Sequence, residues 1–263
     1  MSFLLLPVIA PLLAGIAALL LPRAWRAGRS LLGVLGAGAA FVGALALLER
    51  SAHWVGPGFL LGDLRVDLAF SADEVSRWAV LVAAGMGLLC ALYSVGWFRR
   101  PRPRPPAFDG LALLAIGGGC GVLLAADLLV LVVCWEIVTV ALYLLVSQAR
   151  PEGGGPGARA FVLLGIGDMA LLLGVVLLAH VQAGPASAHP LSTAALAAAP
   201  VAAGSGTGLA VFLLLLVAAS VKAGVMPFHG WVPSIAATTD APVMALLPAS
   251  LDKLLGSSLL ARL

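Results

Sequence analysis

Five ionisable residues sit where a strongly apolar chain should have none: Glu136, Asp168, Lys222, Asp252 and Lys253. Glu136 lies near the middle of "LLVLVVCWEIVTVALYLL", Asp168 near the middle of "AFVLLGIGDMALLLGVV", and Lys222 in the last third of the apolar stretch 207–227. Asp252 and Lys253 stand together in the centre of "PVMALLPASLDKLLGSSLLA". A charge at mid-bilayer costs about 2.5–3.5 kcal/mol on insertion scales. Such groups are therefore expected to face the interior of a bundle and to partner one another or water. Burial disfavours the charged form of acids and bases alike, so acids and bases held together at membrane depth, with no nucleophile or metal cluster beside them, are the parts of a proton relay. A single buried Glu–Lys pair is also a common structural pin between helices; four successive helices each carrying an inward charge favour the relay.

The elements that must position these groups follow from composition. The chain has 263 residues, 62% hydrophobic and 10% charged, with a mean hydropathy of +1.10. A soluble domain carries about 25% charged residues. Continuous apolar runs, each long enough to cross a hydrocarbon core about 30 Å thick, exclude a transmembrane β-barrel, whose strands alternate. The fold class expected is all-α: a polytopic transmembrane bundle of eight spans, at 2–21, 30–48, 73–97, 109–126, 128–148, 158–181, 207–227 and 240–262. The first run has no basic leader or A-x-A site and reads as a retained helix.

Proline marks where helices should break. Pro227 and Pro233 follow Lys222, and Pro242 and Pro248 precede Lys253. Proline removes a backbone donor, and inside a membrane such breaks survive only where protein or a wet cavity covers them. Broken helices are expected near Lys222 and near Pro248. Segment 56–73 reads as a short extracytoplasmic hairpin, and the Ala/Gly/Pro-rich segment 185–208 as holding one surface helix capped by Ser192. Arginines concentrate in the first, third and fifth loops, which makes those loops cytoplasmic and both termini extracytoplasmic. The three cysteines, Cys90, Cys120 and Cys134, lie inside apolar runs with no C-x-x-C or disulfide pattern. They read as small hydrophobes.

With these residues placed, the stretch K-x4-P-x-H-x-W-x-P at Lys222, Pro227, His229, Trp231 and Pro233 resembles the seventh-helix motif of the antiporter-like subunits. These occur in respiratory complex I, in membrane-bound energy-converting hydrogenases and in Mrp-type sodium/proton antiporters. "LLVLVVCWEIVTVALYLL" resembles the family's fifth helix, "RAFVLLGIGDMALLLG" its sixth, and "APVMALLPASLDKLLGSSLLAR" its eighth, with wording that leans toward the hydrogenase-associated branch. The resemblance runs from about Asp67 to Leu263. It implies an N-terminal three-helix segment with the hairpin (1–108) and a five-helix antiporter-like repeat (109–263). It further implies that Glu136 pairs with Lys222 on a broken seventh helix, that Asp168 is a neighbouring acid and that Lys253 is the central relay residue. Arg159, at the cytoplasmic start of its helix, and His229 would be accessory. Asp252 stands beside Lys253, and Pro248 where many relatives carry a histidine.

The function implied is ion translocation, by a proton or alternatively sodium, inside a redox-driven complex of the inner (plasma) membrane. No flavin, iron–sulfur, haem, quinone or metal motif stands in the chain, and electron transfer would belong to partner subunits. Relatives carry a second, inverted repeat after the eighth helix, and the expectation is that another chain supplies it, or that the sequence is a piece of a longer one. The rival reading is a non-conducting structural or assembly subunit. An intramembrane hydrolase would need a G-x-S-x-G, an H-E-x-x-H or a paired-Asp motif, and the sequence has none.

Overall fold

A computed structural model describes residues 2–22, 24–49, 51–61, 64–98, 105–149, 154–182, 189, 191–198 and 204–262. Residues 99–104 of the expected "RRPRPRPP" loop and Arg23, Arg50, Asp63 and Arg150 lie outside these. The chain runs α1 (Ser2–Leu20), α2 (Arg26–Leu47), β1 (Ala52–Leu61), β2 (Leu64–Ala72), α3 (Glu74–Trp97), α4 (Phe108–Leu124), α5 (Leu128–Ala149) and α6 (Gly154–Gln182). It continues through α7 (Thr193–Ala198), α8 (Gly206–Ala223), α9 (Trp231–Ala236), α10 (Ala241–Leu246) and α11 (Asp252–Leu260). A 3-10 turn (Phe228–Gly230) precedes α9, and a π turn (Leu247–Leu251) joins α10 to α11.

Among the described residues, seven helical segments are long and apolar enough to cross a membrane. The expected fourth span is the shorter helix α4, 17 residues long, about 25 Å at 1.5 Å per residue. All of its residues but Leu114 are buried, because α1, α2, α3 and α5 pack around it. A helix apolar on every side belongs at the centre of a bundle. Since α4 packs on both α3 and α5, one continuous core runs from Leu4 to Leu259. The chain is a multi-pass helical membrane protein.

The hairpin expected at 56–73 is present and begins earlier, at Ala52. Its strands are antiparallel, and the register shifts between Val55 and Gly58, where Pro57 has no N–H to give the ladder. Phe70 of β2 bridges to Ala125, and Asp127 bridges to Ser192. The hairpin, the α4–α5 turn and the start of α7 are thereby tied together at one end. There α7 begins as expected: the Ser192 hydroxyl accepts from the Ala195 N–H at 3.1 Å.

Candidate functional site

The site is built on the end of α8. This helix stops at Gly224, which adopts φ 65°, ψ 42°, a left-handed conformation that glycine takes without penalty. The Gly224 N–H donates to Val221 O and the Val225 N–H to Ser220 O, the paired bonds of a Schellman termination. Two side chains add to these bonds: Trp231 Nε1 is a second donor to Val221 O at 3.0 Å, and Lys253 Nζ donates to Ala223 O at 3.3 Å. The break near Lys222 is thus closed by groups of the chain itself.

Two glycines let neighbouring helices approach this terminus. A Cβ on Gly167 of α6 would stand 2.8 Å from Val221, and one on Gly256 of α11 would stand 2.6 Å from Ala219 O. Lys222 is held between them, 1% exposed. Its Nζ donates to Thr139 Oγ1 at 2.6 Å, lies 3.7 Å from Asp252 Oδ1 and sits 5.0 Å above the centre of the Trp135 ring.

Helix α5 buries the face carrying Leu131, Trp135, Val138, Thr139, Leu142 and Leu145, the i, i+3, i+4 stripe of an inward helix face. Trp135 and Thr139 are one turn apart on that stripe. The Trp135 N–H donates to Asp168 Oδ1 at 2.6 Å; Asp168 is itself buried on α6. One indole therefore faces Lys222 with its ring and Asp168 with its edge.

Glu136 departs from the expectation. It is half-buried, feels the charges of Asp168 and Lys222, and forms no ion pair within 4.0 Å among the described residues. Its neighbour Trp135 takes the inward position, and adjacent helical residues point about 100° apart. The acid paired with Lys222 is Asp252 on α11, fully buried, with neither carboxylate oxygen hydrogen-bonded. Asp252 faces Lys222 rather than Lys253.

The π turn explains this. It holds one more residue per turn than an α-helix and so shifts every later position round the axis. It forms where Pro248 lacks an N–H, and the Ser250 hydroxyl is shared between the carbonyls of Ala245 and Leu246. Lys253, expected inside the bundle, is exposed on the surface of this chain. Arg159 is exposed near the start of α6, about 13 Å along the helix axis from Asp168, and His229 is exposed in the 3-10 turn. Neither joins the cluster. The polar members that sequence reasoning missed are Trp135, Thr139 and Trp231. The tryptophans lay within the fifth- and seventh-helix motifs, and Thr139 was legible as the hydroxyl one turn from Trp135.

A second polar cluster occupies the hairpin end. His189 Nδ1 lies 2.6 Å from Asp67 Oδ2. Asp127 is 3% exposed and accepts from the Leu129 N–H at 2.8 Å. Burial pushes the Asp127 carboxyl above the usual carboxylate range, and backbone N–H groups of Leu129 and Val130 pull it back. A cavity of about 460 Å³ opens at this end, lined among others by Asp73, Thr193, Leu196, Phe212 and Arg262, and none of the membrane-depth charges reaches it.

The family model described as NADH:quinone oxidoreductase/Mrp antiporter, transmembrane, matches residues 125–263. The chain belongs to this family. Over 255 residues it is 32% identical to "NADH-quinone oxidoreductase subunit L" of Mycobacterium tuberculosis, covering 90% of this chain and 38% of that protein. It is 29% identical over 219 residues to an Na(+)/H(+) antiporter subunit of Alkalihalophilus pseudofirmus, covering 82% of this chain and 26% of the relative. Among solved structures, the Mrp complex from Dietzia sp. DQ12-45-1b contains a chain that superposes with a TM-score of 0.83 at 25% identity, over 99% of this chain and 28% of that one. The chain thus spans well under half the length of these relatives. The family match begins at residue 125, within the bundle half that holds Glu136, Asp168, Lys222, Asp252 and Lys253.

Proposed function

We propose that this chain is an ion-translocating, antiporter-like subunit of a redox-driven complex of NADH-quinone oxidoreductase or hydrogenase type, in the inner (plasma) membrane, and that the ion is a proton. The observation that carries the reading is Lys222. It is a fully buried lysine at the end of a broken helix, 3.7 Å from Asp252, with Asp168 on the far edge of Trp135 and Glu136 on the flank of α5. A proton passed from Lys222 Nζ to an Asp252 oxygen leaves an amine and a carboxylic acid, both neutral, and such a pair is far cheaper to bury than two separated charges. Glu136 offers Lys222 a second carboxylate and so a second resting place for the ammonium. Lys253 is bonded to the carbonyl of Ala223, the residue after Lys222 at the helix break, and is the next base outward. Its exposed position suits a partner membrane subunit that supplies the second antiporter-like repeat. Both termini are assigned to the extracytoplasmic side, residues 1–108 to a supporting segment and 109–263 to the translocating repeat.

The rival reading is a non-conducting structural subunit. One observation favours it: the closed Lys222–Asp252 pair joins α8 to α11 as a pin would. Proton flux into liposomes separates the two, using the chain with its co-purifying partners. Lys222→Ala combined with Asp252→Asn avoids stranding a buried charge and is expected to abolish flux while the complex assembles in normal yield. Flux equal to wild type in that variant makes the pair a pin.

A further inference from the structure

The group that touches Lys222 most closely is Thr139, not a carboxylate, and the translocation reading leaves it without a task. Thr139 is 1% exposed. Its Oγ1 accepts from Lys222 Nζ at 2.6 Å, while its own proton points to Trp135 O at 3.4 Å, the carbonyl one turn back. A hydroxyl carries one donor and two acceptor lone pairs, whereas an ionised carboxylate only accepts. The Trp135 ring face only accepts from a cation, and its N–H is committed to Asp168. The charged groups around this point are Glu136 on the same helix α5, Asp168 on α6 and Asp252 on α11, while Lys253 of α11 is exposed beyond them.

We infer that Thr139 is the positioning residue of Lys222: its hydroxyl accepts from the charged ammonium and turns to donate to the neutral amine. Lys222 then keeps a hydrogen-bond partner at the same place in both protonation states. The long bond to Trp135 O is the weaker of the hydroxyl's two engagements, so little opposes the rotation. When Lys222 gives its proton to a carboxylate, the Thr139 proton leaves the Trp135 carbonyl and faces the Nζ lone pair. When a proton returns to Nζ, the hydroxyl turns back. Thr139 neither gains nor loses a proton. It prevents the amine from swinging away between the two states, which would otherwise strand it in an apolar site.

This inference rests on the translocation reading, and the test separates the two. In the assembled complex, flux is measured across a range of pH for wild type, Thr139→Val, Thr139→Ser and Lys222→Ala. Thr139→Val keeps the shape and removes the hydroxyl; its flux is expected to fall about tenfold to a hundredfold, with a displaced pH profile. Thr139→Ser restores the hydroxyl and is expected to keep the wild-type profile. If the valine variant does not assemble, Thr139→Cys, with its weaker donor, takes its place and is expected to displace the profile with a smaller loss. A valine or cysteine variant with wild-type rate and profile overturns the inference, as does a serine variant as impaired as valine. If either happens while Lys222→Ala still abolishes flux, the relay stands and only the role of Thr139 falls. Wild-type flux from Lys222→Ala removes both.

Discussion

At membrane depth Lys222 and Asp252 are 1% and 0% exposed and share almost no bond with anything but each other, Thr139 and the Trp135 ring. At the hairpin end His189 and Asp67 meet at 2.6 Å, yet the side chains are 39% and 12% exposed. The second pair is the closer one and the less consequential. Pairs open to water contribute about 0–1 kcal/mol because water competes for the exposed partner, here His189. A buried pair lacks that alternative, so removing one member leaves a charge with nowhere to go. Proximity alone therefore does not rank the two clusters; access to solvent does.

The sharpest break of this comparison is Asp252→Leu. It leaves Lys222 charged and without a carboxylate within ion-pair distance, and the expected loss is about 3–5 kcal/mol, read as a lowered Tm of the purified complex. Adding Lys222→Met should restore most of that stability, since an apolar pair of similar volume is commonly as stable as the ions it replaces. Failure of the double variant to recover would mean that the surrounding shell, not the charge, sets the cost. Next in size, Trp135→Phe keeps a ring over Lys222 but removes the donor to Asp168. A loss of about 1–3 kcal/mol in thermal stability is expected; an unchanged Tm would show that Asp168 finds another donor.

The smallest effect lies at the hairpin end and is pH-dependent. Because the Asp127 carboxyl is raised in the folded protein, the native state binds that proton more tightly than the unfolded chain. The associated stability is present below the ordinary aspartate range, near pH 4, and is lost as pH rises through the folded value. Asp127→Asn keeps an oxygen for the Leu129 N–H and cannot ionise. Its stability relative to wild type should therefore increase with pH across that window. A difference that is flat with pH would place the burial cost elsewhere.

Much of this architecture was legible because its causes are local. Apolar length gave the spans, Pro227 and Pro233 the break after Lys222, alternation along 56–73 the hairpin, and Ser192 the short helix α7. The set of buried charges was legible as a set, since insertion cost alone requires company for each. Which acid meets Lys222 was not. An α-period carried straight through residues 241–260 assigns the wrong faces to Asp252 and Lys253, because the π turn at Leu247–Leu251 holds an extra residue. Likewise Glu136 lost the inward position to Trp135, a choice made by the packing of α5 against α4 and α6 and not by any pattern within α5.

That turn has a consequence for how the chain tolerates change in length. Loss of one residue between Leu247 and Leu251 would let the turn relax to ordinary α form, while Asp252 and Lys253 kept their directions. Loss of one residue between Lys253 and Gly256 has no such slack to draw on. It would swing Gly256 about 100° from its seat against Ala219 and force a side chain into that contact. Two single-codon deletions a few residues apart should thus differ sharply, the first absorbed by the helix and the second carried into the packing of α11 on α8.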